Sequence, residues 1–547
     1  MSQALATSIP DLLQTINGLL QSGRHADAAK VLRRALDLAP TDASVTAAMA
    51  RMTTLARTWL TLGQVQLAVD SLAPLAASGH ADGSVLMLCG HALMATGRKQ
   101  EAEAVFRDWV SKEPHSTDAA LRLAAVLADS GKSAEAEPLI RDVAARHGAT
   151  PESAFVLGRA LLGLARFDEA EEQFRRVVHA RPDHQAAHAN LMELVWMRCG
   201  DIREASRALD RALRAQPQLV GLRITKSRLL LSARMPSEAL AELDAGLAVA
   251  PRDTELLTSA TTVALELDGT RALGYAKRLQ EEGSPQDRAA RVAMGNAYLA
   301  TGDAGAALTI AEALHRSDPC DGQALAMTAD AQRMLGDQRY RELLDYQHLV
   351  RAESIDVPPG WTSLDAYLAE LAADLERVHI LRAHPVGNSL REGSQIPLAP
   401  QDSPFASIRA FPRAIDGSIR RYMQAIGAGN DPMRKRNTGQ YRISGIWSVR
   451  LRPHGFHVNH YHPEGWISSA CYLHLPSAVE RPGGEGWLKL GEPAFPTRPA
   501  LEPEYFIKPK PGLLALFPSY MWHGTVPFAG APDDTRVTIA FDVVPVP

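Results

Sequence analysis

The chain has 547 residues but only four cysteines, Cys89, Cys199, Cys320 and Cys471, and no two of them form a CxxC pair. That scarcity excludes a disulfide scaffold and a cysteine-built zinc site, and it suits buried thiols in a reducing, cytoplasmic setting. No window approaches the run of about 18 apolar residues that a membrane span needs, so no membrane partner is expected. An excess of one charge is missing too. Fifty-eight Lys and Arg stand against 62 Asp and Glu, a net -4 that gives no electrostatic footprint for nucleic acid. Met1–Pro10 lacks a basic head before an apolar core, so export by a signal peptide is not expected. What is present, 46% hydrophobic and 22% charged residues, describes a folded protein too long for one ordinary core.

The N-terminal two-thirds repeats itself. Gly23, Gly63, Gly97, Gly131, Ala165, Gly200, Arg234, Asp268, Gly302 and Gly336 follow one another at 34 or 35 residues after a first step of 40. Five residues beyond most of them comes a small side chain: Ala28, Ala68, Ala102, Ala136, Ala170, Ala205, Ala239 and Ala307. Prolines such as Pro182, Pro251, Pro285 and Pro319 mark the repeat ends. Glycine takes a tight turn between two helices without a Cβ penalty. Alanine lets the second helix approach the first, and proline cannot continue a helix. Gly269 is expected to replace the missing turn glycine at Asp268. The pattern resembles the tetratricopeptide repeat family, in about nine or ten units over residues 11–345. That resemblance implies an all-α superhelix whose groove binds a peptide or protein.

After Tyr346 the rhythm stops. Residues 346–412 read as a connector with one amphipathic helix, Leu364 to Leu381, capped by Ser363 and loop-like from His384 to Pro412. A short helix, Ile415 to Ile426, follows. Residues 413–547 turn to β-type composition, with strands expected at 441–452, 455–462, 466–475, 486–490, 513–517 and 536–544. A turn at Pro453-His454-Gly455 is expected to separate the first two. Short strands between such turns argue for a sandwich or jelly-roll barrel.

Within that region His460 and His462 stand two apart in His460-Tyr461-His462-Pro463, and alternation along a strand puts both imidazoles on one face. Imidazole suits a divalent first-row metal. His523 follows the apolar strand Gly512–Phe517 and is placed to add a third ligand. Arg536 opens a strand on which Val537, Ile539 and Phe541 share the opposite face, so its guanidinium is placed to clamp a carboxylate beside the metal. Glu464 is an alternative ligand if the strand runs through Pro463. His454, His457 and His474 read as structural or supporting residues, Trp447, Trp466 and Trp487 as core, and Asp542 as one half of a strand-end salt bridge, with orientation of a ligand as its alternative.

With those residues in order, the region from about 340 to 547 resembles the 2-oxoglutarate and Fe(II)-dependent dioxygenases, in particular a bacterial and phage branch often joined to tetratricopeptide repeats. The resemblance rests on His460-x-His462-Pro463, a strand ending in Tyr472, Gly512-Leu-Leu-Ala-Leu-Phe-Pro518, Arg536-Val-Thr-Ile-Ala-Phe541 and the polar loop Asn388–Gln395. It implies a double-stranded β-helix in which His460, His462 and His523 bind iron, while Arg536 and Tyr472 bind the distal carboxylate of 2-oxoglutarate. O₂ is the other cosubstrate, and the reaction is hydroxylation with release of succinate and CO₂. His462 departs from the family's usual Asp or Glu and leaves the site more positive. Two other readings stay open: an interaction scaffold with a silent, degenerate barrel, and a three-histidine zinc hydrolase. The second lacks an H-E-x-x-H helix and an obvious general base.

Overall fold

Every position of the spacing series but Asp268 takes the left-handed backbone conformation. In this computed structural model, which describes residues 8–283 and 287–546, the glycines from Gly23 to Gly336 in the spacing series have φ between 70° and 92°. Ala165 (φ 56°) and Arg234 (φ 61°) take the same conformation without glycine's freedom. Asp268 caps the helix Gly269–Glu282 by accepting from the Thr270 and Arg271 amides, and Gly269 serves packing instead of the turn. A Cβ there would stand 2.8 Å from that of Ala300. The anomalous first step of 40 has a cause, since helix Ala43–Thr61 is 19 residues long against 12–15 for its repeat neighbours. The leader expectation, over residues 1–7, and the repeat-end proline Pro285 lie outside the described residues.

Nineteen helices among the described residues, Ile9–Gln21 to Gly322–Leu335, build this all-α superhelix. Ala28, Ala68, Ala102, Ala136 and Ala170 are fully buried at the helix contacts, as the spacing predicts. The chain forms two compact units, Met1–Ala187 and His188–Pro547. The first contains only repeats. The second contains the later repeats and everything after them. No helix of the described residues is long and apolar enough to cross a membrane.

Nine strands follow among the described residues: β1 (Arg351–Ser354), β2 (Leu390–Pro397), β3 (Tyr441–His457), β4 (Ile467–His474), β5 (Leu488–Leu490), β6 (Tyr505–Ile507), β7 (Leu513–Pro518), β8 (His523–Thr525) and β9 (Arg536–Pro545). They form a jelly roll of two antiparallel sheets, ordered β1-β7-β4-β9-β3-β2 and β6-β5-β8. Helices Leu364–Val378 and Ala406–Ile426 cover the outer face of the larger sheet. On β9, Val537, Ile539 and Phe541 point into that apolar layer, while Arg536, Thr538, Ala540 and Asp542 line a cavity on the other side.

Several expectations need correction. The stretch read as a loop from His384 to Pro412 contains β2 and the start of the helix Ala406–Ile426. Pro412 lies inside that helix. A proline there costs about 3 kcal/mol, but burial of Ile408, Phe411, Ile415 and Ile419 returns roughly 1.5–3 kcal/mol for each. Upstream, β1 pairs with β7, so the region between array and barrel supplies two strands to the main sheet. Pro453-His454-Gly455 is no hairpin turn. The chain bulges there, with His454 at φ 66°, and β3 runs on to His457. Ser363 does cap its helix, accepting from the Ala366 amide at 3.2 Å, but the helix ends at Val378. All four cysteines are free, yet only Cys89 and Cys471 are buried; Cys199 is exposed.

Candidate metal centre

The segment holding His460 and His462 has left the strand. His460 forms a single bridge with His523, exchanging two backbone hydrogen bonds of 2.9 and 2.8 Å. Two residues on, the His462 amide donates to the Ser519 carbonyl at 2.8 Å. These ties hold the segment extended, so the alternation of side chains survives although the strand does not. The two imidazoles converge with that of His523, and one ligand nitrogen from each lies within 4.8 Å of the others.

Each ring is fixed by its second nitrogen. Nδ1 of His460 lies 2.9 Å from the Val458 carbonyl, and Nδ1 of His523 lies 3.0 Å from the Met521 carbonyl. A carbonyl only accepts, so both Nδ1 atoms carry the proton and both Nε2 atoms present a lone pair, that of His460 lying 3.3 Å from the Ser389 hydroxyl. His462 Nδ1 donates to Asp542, 2.6 and 2.7 Å from its two carboxylate oxygens. Ser468 also donates to that carboxylate, at 3.0 Å. A histidine backed by a carboxylate is oriented and made more basic, as metal-binding histidines commonly are. The negative charge missing at position 462 is thereby supplied one side chain further out. Burial pushes His460 down to about 3, with His462 adding to the shift, and it drives His523 and His457 well below their usual range. All three are neutral near pH 7, the form that ligates.

Arg536 is 2% exposed and has no carboxylate partner among the described residues. Its Nη1 reaches the Thr525 hydroxyl at a long 3.4 Å, and its guanidinium carbon lies 5.0 Å from the centre of the Tyr472 ring. Arg536 Nε and the Tyr472 hydroxyl are buried without a hydrogen bond. A buried guanidinium lacking an anion is costly, and both orphaned groups are ones a carboxylate would satisfy. Tyr472 is fully buried beneath the guanidinium, one layer back from the cavity. That cavity has a volume of about 940 Å³, and its wall includes Leu231, Thr262 and Glu266 from the repeats of the same compact unit.

The expected ligand set therefore gathers at one point, with Arg536 lining the same cavity. Glu464 is exposed and stays outside the cluster. His454 and His474 are exposed, whereas His457 lines the cavity and shares the Ser389 hydroxyl with His460, at 3.0 and 3.3 Å. Asp542 is the orienting partner of His462, not half of a strand-end salt bridge. Its parity with Arg536 along β9 was the available signal. Trp447, read as core, lines the cavity with its ring centre 6.0 Å from that of His462. Ser389 is marked in the sequence only as part of the polar loop Asn388–Gln395, and Ser468 and the repeat wall carried no local signal.

Residues 445–542 match the family model described as "Putative 2OG-Fe(II) oxygenase", a stretch that contains all three histidines, Arg536 and Asp542. Residues 90–154, 121–185 and 155–196 match the tetratricopeptide repeat model. The chain is thus similar to tetratricopeptide repeats over residues 90–196 and to that oxygenase family over residues 445–542. No curated protein matches it. Among solved structures it is similar to a tetratricopeptide repeat protein from Parabacteroides merdae, with 13% identity over 47% of this chain and 98% of that one and a TM-score of 0.34. It is also similar to yeast Tom70, with 13% identity over 63% and 85% of the two chains and a TM-score of 0.35. A thermophilic repeat protein from Thermus thermophilus shares 21% identity over 34% and 100%, with a TM-score of 0.27.

Proposed function

We propose that the protein is a 2-oxoglutarate- and Fe(II)-dependent hydroxylase acting on a peptide or protein recruited by its repeats. The carrying observation is the convergence of three histidines whose Nδ1 atoms are all engaged. The division of labour we propose is an array at 11–345, a catalytic barrel built on 413–547, and the stretch 346–412, which joins them and lends the barrel β1 and β2. A cytoplasmic location fits the four free cysteines.

In this reading His460, His462 and His523 hold the metal through Nε2. Arg536 takes the distal carboxylate of 2-oxoglutarate, and Tyr472 supports it from behind. Iron, 2-oxoglutarate and O₂ together supply the oxidising chemistry, converting the oxo acid to succinate and CO₂ while a substrate C–H bond is hydroxylated. The protein's part is placement. Val458, Met521 and Asp542 fix the ring orientations, so binding a metal requires no rearrangement of the histidines. Phe517, Val449 and Leu488 give the cavity apolar wall, which keeps water from the reacting groups. The test is an anaerobic titration of Fe(II) followed by 2-oxoglutarate, read by calorimetry, and then succinate release across a peptide library. Failure of 2-oxoglutarate to bind in a metal-dependent way would remove the proposal.

A further inference from the structure

Among the charges that line the cavity, Glu266 and Arg391 are of opposite sign and neither joins an ion pair among the described residues. Glu266 ends the repeat helix Thr254–Leu265. Among the described residues its carboxylate accepts no hydrogen bond and joins no ion pair. The position is unfavourable twice over. A carboxylate at a helix C-terminus meets the negative end of the helix dipole, and although the residue is exposed at the cavity rim, partial desolvation by the wall raises its pKa while Arg391 acts the other way. The fold gains nothing from a carboxylate there.

Arg391, on β2, faces the same cavity and is 8% exposed. Its Nη1 donates to the carbonyls of Asn388 and Leu390, at 2.7 and 2.8 Å. This double anchor fixes the guanidinium to its own wall, so it does not swing across to Glu266. Its other N–H groups have no acceptor among the described residues, which leaves a seat for an anion. Ser389, two residues earlier, touches His457 and His460, so Arg391 lies close to the histidine cluster, and Glu266 lines the same cavity.

We propose that Glu266 and Arg391 form a two-charge substrate clamp. The hydroxylated residue belongs to a peptide segment bearing a basic and an acidic side chain, the base held by Glu266 and the acid by Arg391. This rests on the hydroxylase reading and adds a substrate class to it. A cavity of about 940 Å³ is at the upper end of the roughly 300–1,000 Å³ seen for small-ligand pockets, room for a peptide segment more than for a single small zwitterion.

The experiment uses the full-length, Fe(II)-loaded protein and four degenerate peptide pools. Their fixed residues are Lys plus Asp, Lys alone, Asp alone, or neither, and the readout is kcat/KM for succinate release. The Lys-plus-Asp pool is expected to exceed the neutral pool by about tenfold or more, the scale of a charge-assisted contact. Glu266→Gln should erase the advantage of Lys while keeping that of Asp, and Glu266→Lys should make Lys a disadvantage. Arg391→Gln should erase the advantage of Asp. Equal rates for the four wild-type pools, or a uniform loss across pools in Glu266→Gln, would overturn the clamp. Fe(II)-dependent 2-oxoglutarate binding by the wild type, measured alongside, separates the two ideas. Its absence removes the hydroxylase reading and the clamp together, whereas its presence with indifferent pools removes only the clamp.

Discussion

The repeats of the two units are built to one pattern and use their polar residues differently. In the first unit, charged side chains link neighbouring repeats. Arg107 reaches Glu135, Lys132 reaches Glu103 and Arg166 reaches Glu137, on partly exposed surfaces where each pair contributes about 1 kcal/mol or less. In the second unit such pairs recur, as between Arg271 and Asp244 or Arg288 and Asp321, and further polar groups of the repeats reach the barrel. The Trp522 indole donates to Asp330 at 2.8 Å, Tyr340 donates to Glu504 at 3.0 Å, and Arg333 donates to the Glu502 carbonyl at 2.9 Å. Glu193 and Ser232 accept from the amides of Val386 and Gly387. Gly322 lies so close to the histidine segment that a Cβ would meet the Pro463 carbonyl oxygen at 2.6 Å. One repeat fold has therefore been put to two uses. Where a repeat meets only another repeat, its surface is generic; where it meets the barrel, it is part of the wall that holds the site.

The sharpest way to break this comparison is at the metal. His523→Ala removes one of three convergent ligands, and Fe(II) affinity should fall by more than about 100-fold, beyond the range of an orienting partner. The first unit should melt unchanged, which calorimetry can follow alongside metal titration. Asp542→Asn leaves the ligands in place but weakens the hold on His462. Fe(II) affinity should fall by about 10- to 100-fold, and an undiminished affinity would mean that His462 does not bind metal.

Asp330 tests the contact between repeat and barrel. Burial pushes its carboxyl up to about 7 from a usual 3.8, against the opposing hydrogen bond from Trp522. An acid whose folded pKa is raised binds more protons in the folded state than in the unfolded one. Its contribution to stability is therefore greatest below about pH 4 and declines toward pH 7, by up to roughly 1.4 kcal/mol per pH unit. Asp330→Asn should flatten that slope in the melting of the second unit, and an unchanged slope would place the titration elsewhere. The smallest effect belongs to the generic repeats. Gly131→Ala forces a Cβ into the left-handed region and should cost about 1 kcal/mol, whereas Ala165→Gly should gain up to about 1 kcal/mol. Equal and opposite shifts in the melting of the first unit would show that its turns are interchangeable.

Much of this was legible in the chain itself. A helical repeat is a local object, so its turn residue, close-packing alanine and proline stop recur at a fixed interval, and each reports a conformation set within a few residues. The inward face of β9 was equally readable, since strand alternation separates Arg536 from Val537 by geometry alone. The histidine pair was found for a partly mistaken reason. It was assigned to a strand, but what keeps its side chains together is an extended segment tied to His523 and Ser519. The stretch 384–412 reads as loop from its Pro, Ser and Gly content, whereas the pairing of β2 with β3 and the burial of Ile408 and Phe411 decide its structure.

By itself, then, the sequence determined the repeat architecture, the change to β structure and the residues able to ligate a metal, because each depends on side-chain chemistry at short range. Only the tertiary structure decided that Asp542 stands behind His462, that Arg536 and Tyr472 are buried with unmet hydrogen-bonding groups, and that repeat residues wall the cavity. Those relations join positions up to some 300 residues apart, from Leu231 to Asp542. No periodicity along the chain encodes them, since they exist only once burial has fixed which surfaces meet.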